Sequence, residues 1–186
     1  KISMKKIMIV DDNYLSAEGI EKNIDWETLN AEIIHVCYNG TSAIEAMKKE
    51  PADLIISDIE MPDLDGISMS RQALEINPMV KIILISAYDK FEYARRALLL
   101  GALDYIEKPL DYAYLIQKVK NAFALMEKEQ KNLQLLKQSR PLLTEKFFRE
   151  ITHLPSSEAA YRLKPYLKYL NLELNYDFYT VVILEL

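Results

Sequence analysis

Three short runs of branched, apolar residues limit what this chain can fold into. Ile7-Met8-Ile9-Val10 stops at Asp11-Asp12, Leu54-Ile55-Ile56 stops at Asp58 after Ser57, and Ile82-Ile83-Leu84-Ile85 stops at Ser86. Each run is too short for a helix and lacks polar alternation, the pattern of a strand buried on both faces. His35-Val36-Cys37 and Asp104-Tyr105-Ile106 are two weaker strand candidates. Helical periodicity fills the gaps, from Tyr14 to Asn23, Thr41 to Lys49, Ile67 to Ile76, Phe91 to Leu100 and Leu110 onward. Thr41 or Ser42 is the expected cap of the second helix. Gly101 is placed to terminate the fourth. Strand and helix alternate five times, which predicts an α/β fold, a five-stranded parallel doubly wound sheet with helices on both faces. The functional crevice of such a sheet lies at the carboxyl ends of its strands. Asp11, Asp12, Asp58, Ser86 and Lys108 would therefore share one rim.

The last helix carries a heptad seam at Leu115, Val119, Ala122, Met126, Leu133 and Leu136, interrupted at Glu129. A helix over 110–138 continuing as a coiled-coil linker is expected. After Arg140-Pro141 the texture changes to a helix from Leu142 to Ile151, another from Ser156 to Leu170 and an apolar strand from Phe178 to Leu186. An apolar final strand with nothing left to pair predicts a truncated second domain over 141–186. Met4 is read as the natural start.

The 186 residues carry a formal net charge of −5, which argues against this segment gripping nucleic acid by itself. The one cysteine, Cys37, reads as a core thiol, and no apolar run reaches membrane-spanning length. His35 and His153 are scattered and get no catalytic role; Trp26 is expected to pack at the surface.

At the rim, Asp11, Asp12, Asp58 and the nearby Glu60 would repel one another unless a cation compensates. Oxygen-only ligands select a hard ion, Mg²⁺ or Mn²⁺. Lys108 adds fixed positive charge and Ser86 a short hydroxyl. Only a carboxylate among these groups suits the role of nucleophile towards a phosphoryl group, since an acyl phosphate forms without general-base help.

The motifs Val10-Asp11-Asp12, Ser57-Asp58-Ile59-Glu60-Met61-Pro62, Asp65-Gly66, Ile85-Ser86-Ala87 and Tyr105-Ile106-Glu107-Lys108-Pro109, in that order, resemble the CheY-like receiver domain of two-component response regulators. The resemblance covers 4–124 and implies a flavodoxin-like fold. It implies phosphorylation of Asp58 by a sensor histidine kinase. It also implies a metal held by Asp12 directly, by Asp11 directly or through water, by Asp58 and by the backbone carbonyl of Glu60. Lys108 would pair with Asp58 and then with the phosphoryl group, Ser86 would swing towards it, and Tyr105 would turn inward behind Ser86. Ala87 would leave access to the aspartate, and Lys108-Pro109 would be a cis peptide. Glu60 and Tyr88 would tune the phosphoryl lifetime. The kinase would dock near Tyr14, Leu15, Glu18 and Pro109.

Homodimerisation is expected through the 91–110 surface, with Arg95, Arg96, Asp104 and Glu107, through the coil, or through both. The stretches Ser139 to Ile151 and Phe178 to Leu186 resemble the middle region of receivers fused to a C-terminal AraC-type helix-turn-helix pair. That resemblance implies a cytoplasmic transcription regulator that reaches DNA only through a domain missing here. The chain itself is expected to be no enzyme beyond slow self-phosphorylation and self-dephosphorylation. Three other readings compete. A phosphorylation-independent interaction module would not need the complete set of pocket side chains. A receiver fused to an output enzyme would differ only beyond this chain. A haloacid-dehalogenase-type phosphatase would need an aspartate where Glu60 stands.

Overall fold

The computed structural model describes residues 4–87, 95 and 101–151, with side chains described to residue 135 and at 138. Among the described residues, nine elements follow in order: β1 (Lys5–Val10), α1 (Tyr14–Asn23), β2 (Ala31–Cys37), α2 (Gly40–Lys49), β3 (Leu54–Asp58), α3 (Gly66–Ile76), β4 (Lys81–Ser86), β5 (Asp104–Glu107) and α4 (Tyr112–Ile151). Apart from Arg95, which is helical, the helix expected from Phe91 to Leu100, with Tyr88 and Arg96, lies outside the described residues, as does everything after 151.

All strand pairs are parallel and the sheet order is β2-β1-β3-β4-β5. This is the doubly wound order, and its topological switch point falls between β1 and β3. The chain divides into two compact units, Lys1–Met126 and Glu127–Leu186.

Period-two alternation sorts the strand side chains into two cores. Ile7, Ile9, Leu54, Ile56, Ile83 and Ile85 face α1 and the first turns of α4. Met8, Val10, Ile55, Ile82 and Leu84 face α2 and α3. Each fully buried Ile, Leu or Met is worth roughly 1.5–3 kcal/mol, so both faces hold the sheet flat against its helices. β2 carries one extra residue against β1, at Ile34, where the register shifts between Ile7 and Met8.

Several expectations need correction. Asn39, not Thr41 or Ser42, caps α2: its Oδ1 accepts the Ser42 N–H at 2.8 Å. An amide oxygen on the preceding extended residue reaches that donor, whereas a hydroxyl already inside the first turn cannot. Trp26 is buried rather than superficial, and its Nε1 donates to the Glu21 carbonyl. Leu115, Val119, Ala122 and Met126 are buried in the core beneath the sheet. Four of the six proposed seam positions are thus consumed by the first unit, since the same 3.6-residue stripe serves a sheet face as well as a partner helix. Leu133 is exposed, and the Leu136 side chain lies outside the described residues. Finally, α4 continues through Pro141 to Ile151 instead of breaking there, although a proline removes one helical hydrogen bond. The first unit ends at Met126, close to the receiver end expected at residue 124.

Candidate phosphoryl-accepting site

Where β1 and β3 end side by side, Asp11 leaves the sheet and Asp58 closes β3. Asp11 is 1% exposed and Asp58 is 6% exposed, whereas Asp12 faces solvent. One carboxylate oxygen from each of the three lies within 4.8 Å of the others. The Glu60 carboxylate does not join this group. Glu60 instead folds its N–H back onto Asp58 Oδ1 at 3.2 Å, which fixes the turn after the strand and orients the carboxylate.

Lys108 closes the site from the end of β5. Its Nζ lies 2.5 Å from Asp58 Oδ2 and 3.1 Å from Asp11 Oδ2. Its backbone N–H donates to the Ser86 carbonyl at 2.8 Å, continuing the β4–β5 ladder. The Lys108-Pro109 peptide is cis. Asp11 is held on its other oxygen by the Asn13 N–H at 2.9 Å. Asn13 also caps α1, its side chain accepting from the Leu15 and Ser16 N–H groups. Sequence reasoning passed over Asn13, yet a short polar residue between a strand-end acid pair and a helical run is itself a capping signal.

Burial raises the Asp11 carboxyl above the usual carboxylate range; the Asn13 N–H and Lys108 oppose this, and the Asp58 charge adds to it. Burial alone would lower the Lys108 ammonium, but hydrogen bonding and charge from Asp58 and Asp11 outweigh it and raise it. The lysine therefore stays cationic beside two desolvated acids. Burial raises the Cys37 thiol, the condition of an inert core cysteine.

Ser86 is fully buried at the end of β4. Leu84, two residues earlier, packs in the α2/α3 core, and Tyr105 packs partly against that same core. Ser86 and Tyr105 thus share one sheet face on neighbouring strands. Ala87 is exposed beside them. On the rim of the opposite face, Asp104 is bound by Lys118 of α4 at 2.7 Å, a partner that the sequence did not single out. Below Asp11 and Lys108 a cavity of about 360 Å³ opens between α1 and the start of α4, reaching Leu15, Pro109 and Tyr112. Leu15, which lines it, is 73% exposed; Tyr14 is 57% exposed and its ring packs against Tyr38 with centroids 5.6 Å apart.

The donor set fits a hard divalent cation: three carboxylates converge, all ligands are oxygen, and one acid faces solvent where retained waters can sit.

A doubly wound sheet with an acid triad and a lysine at its switch point defines a receiver. Residues 7–120 match the response regulator receiver domain family, and the chain belongs to it. It is similar to the transcriptional regulatory protein YesN of Bacillus subtilis, 29% identical over 126 residues, a match covering 68% of this chain and 34% of that protein. It is similar to the receiver domain of AraT, a response regulator from Geobacillus stearothermophilus, at 34% identity and a TM-score of 0.65, covering 68% of this chain and 98% of that one. It is also similar, at 29% identity and a TM-score of 0.59, to a chain in a CheX–CheY complex from Borrelia burgdorferi that contains BeF3 and Mg²⁺, covering 64% of this chain and 89% of that one. The match thus covers only about a third of the YesN protein's length.

Proposed function

We propose that Asp58 accepts a phosphoryl group from a phosphohistidine on a sensor kinase, and that the phosphorylated chain switches a regulator of transcription. The observation carrying this reading is the convergence of Asp11, Asp12 and Asp58 with Lys108 at the switch point. An Asp58 carboxylate oxygen attacks phosphorus, the P–N bond to the kinase histidine breaks, and its electron pair stays on the imidazole. Lys108, already on Asp58 Oδ2, is placed to hold the oxygens that gain charge. Asp11, Asp12, Asp58 and the Glu60 carbonyl would hold Mg²⁺ or Mn²⁺, and the Mg²⁺ of the Borrelia complex supports that assignment. When bound there, the metal would supply charge neutralisation on the phosphoryl oxygens. The chain is a phosphoacceptor and not a turnover enzyme.

Ser86 and Tyr105, on one sheet face, are the switch pair that the new charge biases. The cavity beside α1, with exposed Leu15 in its lining, and the neighbouring exposed Tyr14 form the kinase-docking surface. Output runs through homodimerisation on the 91–110 surface and through α4 beyond Met126. Exposed Leu133 and Leu135 there offer apolar contacts. DNA contact belongs to an AraC-type C-terminal domain of the whole, cytoplasmic protein; similarity to a transcriptional regulatory protein supports that output.

The test is intact-mass analysis after incubation with phosphoramidate and Mg²⁺, comparing the native chain with Asp58→Ala. One phosphoryl mass that vanishes in the variant is expected. Absence of that mass in the folded native chain leaves a phosphorylation-independent interaction module. Size-exclusion of the same samples, with and without phosphoramidate, reads the dimer.

A further inference from the structure

Asp58 does not place itself. On the β1 side, the β1–β3 register ends at Val10↔Ser57, one residue short of the acceptor. Beyond that pair β1 no longer pairs with β3, so the ladder does not fix the peptide unit that follows Asp58 on this side. Two features converge on the Asp58 carbonyl instead. The Ser57 hydroxyl, fully buried, donates to it at 2.8 Å. Gly66, the first residue of α3, lies so close that a Cβ there would sit 2.1 Å from the same oxygen. Gly66 is tied in turn: its N–H donates to the Ile59 carbonyl at 2.9 Å, and its own carbonyl accepts the buried Ser70 hydroxyl at 2.6 Å. Ile59 N–H is fixed on the Ile85 carbonyl at 2.9 Å.

A buried hydroxyl must find an acceptor. Ser70 takes the carbonyl one helical turn back, an ordinary choice for a helical serine. Ser57 takes the carbonyl of the reacting residue. Resting on the reading of Asp58 as phosphoacceptor, the geometry points to Ser57 as a positioning residue. Its hydroxyl and the bare face of Gly66 clamp the Asp58 carbonyl, which sets the direction of the carboxylate and of the Glu60 turn. The Ile59 N–H stays on the Ile85 carbonyl, so without the Ser57 donor the peptide keeps its place in the ladder but its carbonyl end rests on the Gly66 contact alone. A small shift of Asp58 there displaces its carboxylate relative to Lys108 and the two rim acids. Ser57 touches no reacting atom; it acts through Asp58 alone.

The test compares initial rates of phosphoryl incorporation from saturating phosphoramidate and Mg²⁺, read by intact mass, in the native chain, Ser57→Ala, Ser57→Thr and Ile7→Val. Ile7 is fully buried at the opposite end of the sheet and serves as a control for lost stability without a change at the rim. Ser57→Ala is expected to lower the saturated rate on the order of tenfold, the scale of sub-ångström misplacement of a reacting group. Its Mg²⁺ dissociation constant, measured by calorimetry, is expected to rise as well. Ile7→Val should do neither, and Ser57→Thr, which keeps the hydroxyl, should recover most of the rate. If Ser57→Thr does not fold, the comparison of Ser57→Ala with Ile7→Val decides. A native rate and native Mg²⁺ affinity in Ser57→Ala, or an equal loss in Ile7→Val, overturns the positioning role while leaving Asp58 as acceptor. No incorporation in the native chain removes both.

Discussion

Replacing Lys108 with methionine tests how the receiver tolerates its acids. The lysine is the cation on both Asp58 and Asp11, and its side chain is 25% exposed. With it gone, acid oxygens no more than 4.8 Å apart face one another uncompensated. At an effective dielectric of about 20, one such pair repels by about 3.5 kcal/mol. Breaking a buried pair costs roughly 3–5 kcal/mol, and partial exposure of the lysine reduces this, so a net loss of about 1–3 kcal/mol is expected for the metal-free chain at pH 7. The assay is urea unfolding with a chelator present, followed across pH. Asp11 is already raised by burial, and Lys108 opposes that rise. A carboxyl whose folded pKa is raised leaves stability intact below its unfolded value and removes it as pH rises through the folded value. The variant should therefore fall further behind the native chain as pH rises above the ordinary carboxylate range. Mg²⁺ at about 100 times its dissociation constant adds about 2.7 kcal/mol to whichever protein binds it, so the gap should narrow if the variant still binds. Equal stability at pH 7 without metal, with superimposable pH profiles, would refute the idea that Lys108 compensates this cluster.

Leu115→Ala should destabilise the first unit by about 2–5 kcal/mol without changing the oligomeric state seen by size-exclusion, because the residue is fully buried beneath the sheet. Asn39→Ala removes the cap of α2 and should lower stability by about 1 kcal/mol in thermal unfolding; no change would reassign the cap. Gly66→Ala forces a Cβ towards the Asp58 carbonyl, and overpacking of about 1–3 kcal/mol or more is expected with loss of phosphoryl incorporation. Gly19→Ala meets only the end of the Tyr112 side chain, so a smaller loss in the same melts separates backbone collision from a movable neighbour.

The sequence by itself determined the sheet, its strand types and the acids at its rim. Buried parallel strands demand unbroken branched apolar runs, so Ile7 to Val10 and Ile82 to Ile85 are visible without any tertiary information. The rim acids were equally legible, because a strand that ends in a carboxylate puts it at the crevice. Local pattern could not decide what a helical stripe packs against. Leu115, Val119, Ala122 and Met126 satisfy a coil seam and a sheet face alike, and only the assembled core shows that the sheet took them. Nor could it show contacts made by backbone approach. That Gly66 lies against the Asp58 carbonyl and that Ser57 donates to it depend on the path the backbone takes after β3. That Lys108 joins Asn13 on the oxygens of Asp11 follows from segments distant in the chain meeting at one point. A hydrogen bond has direction and a partner, and neither is encoded in the identity of a single residue.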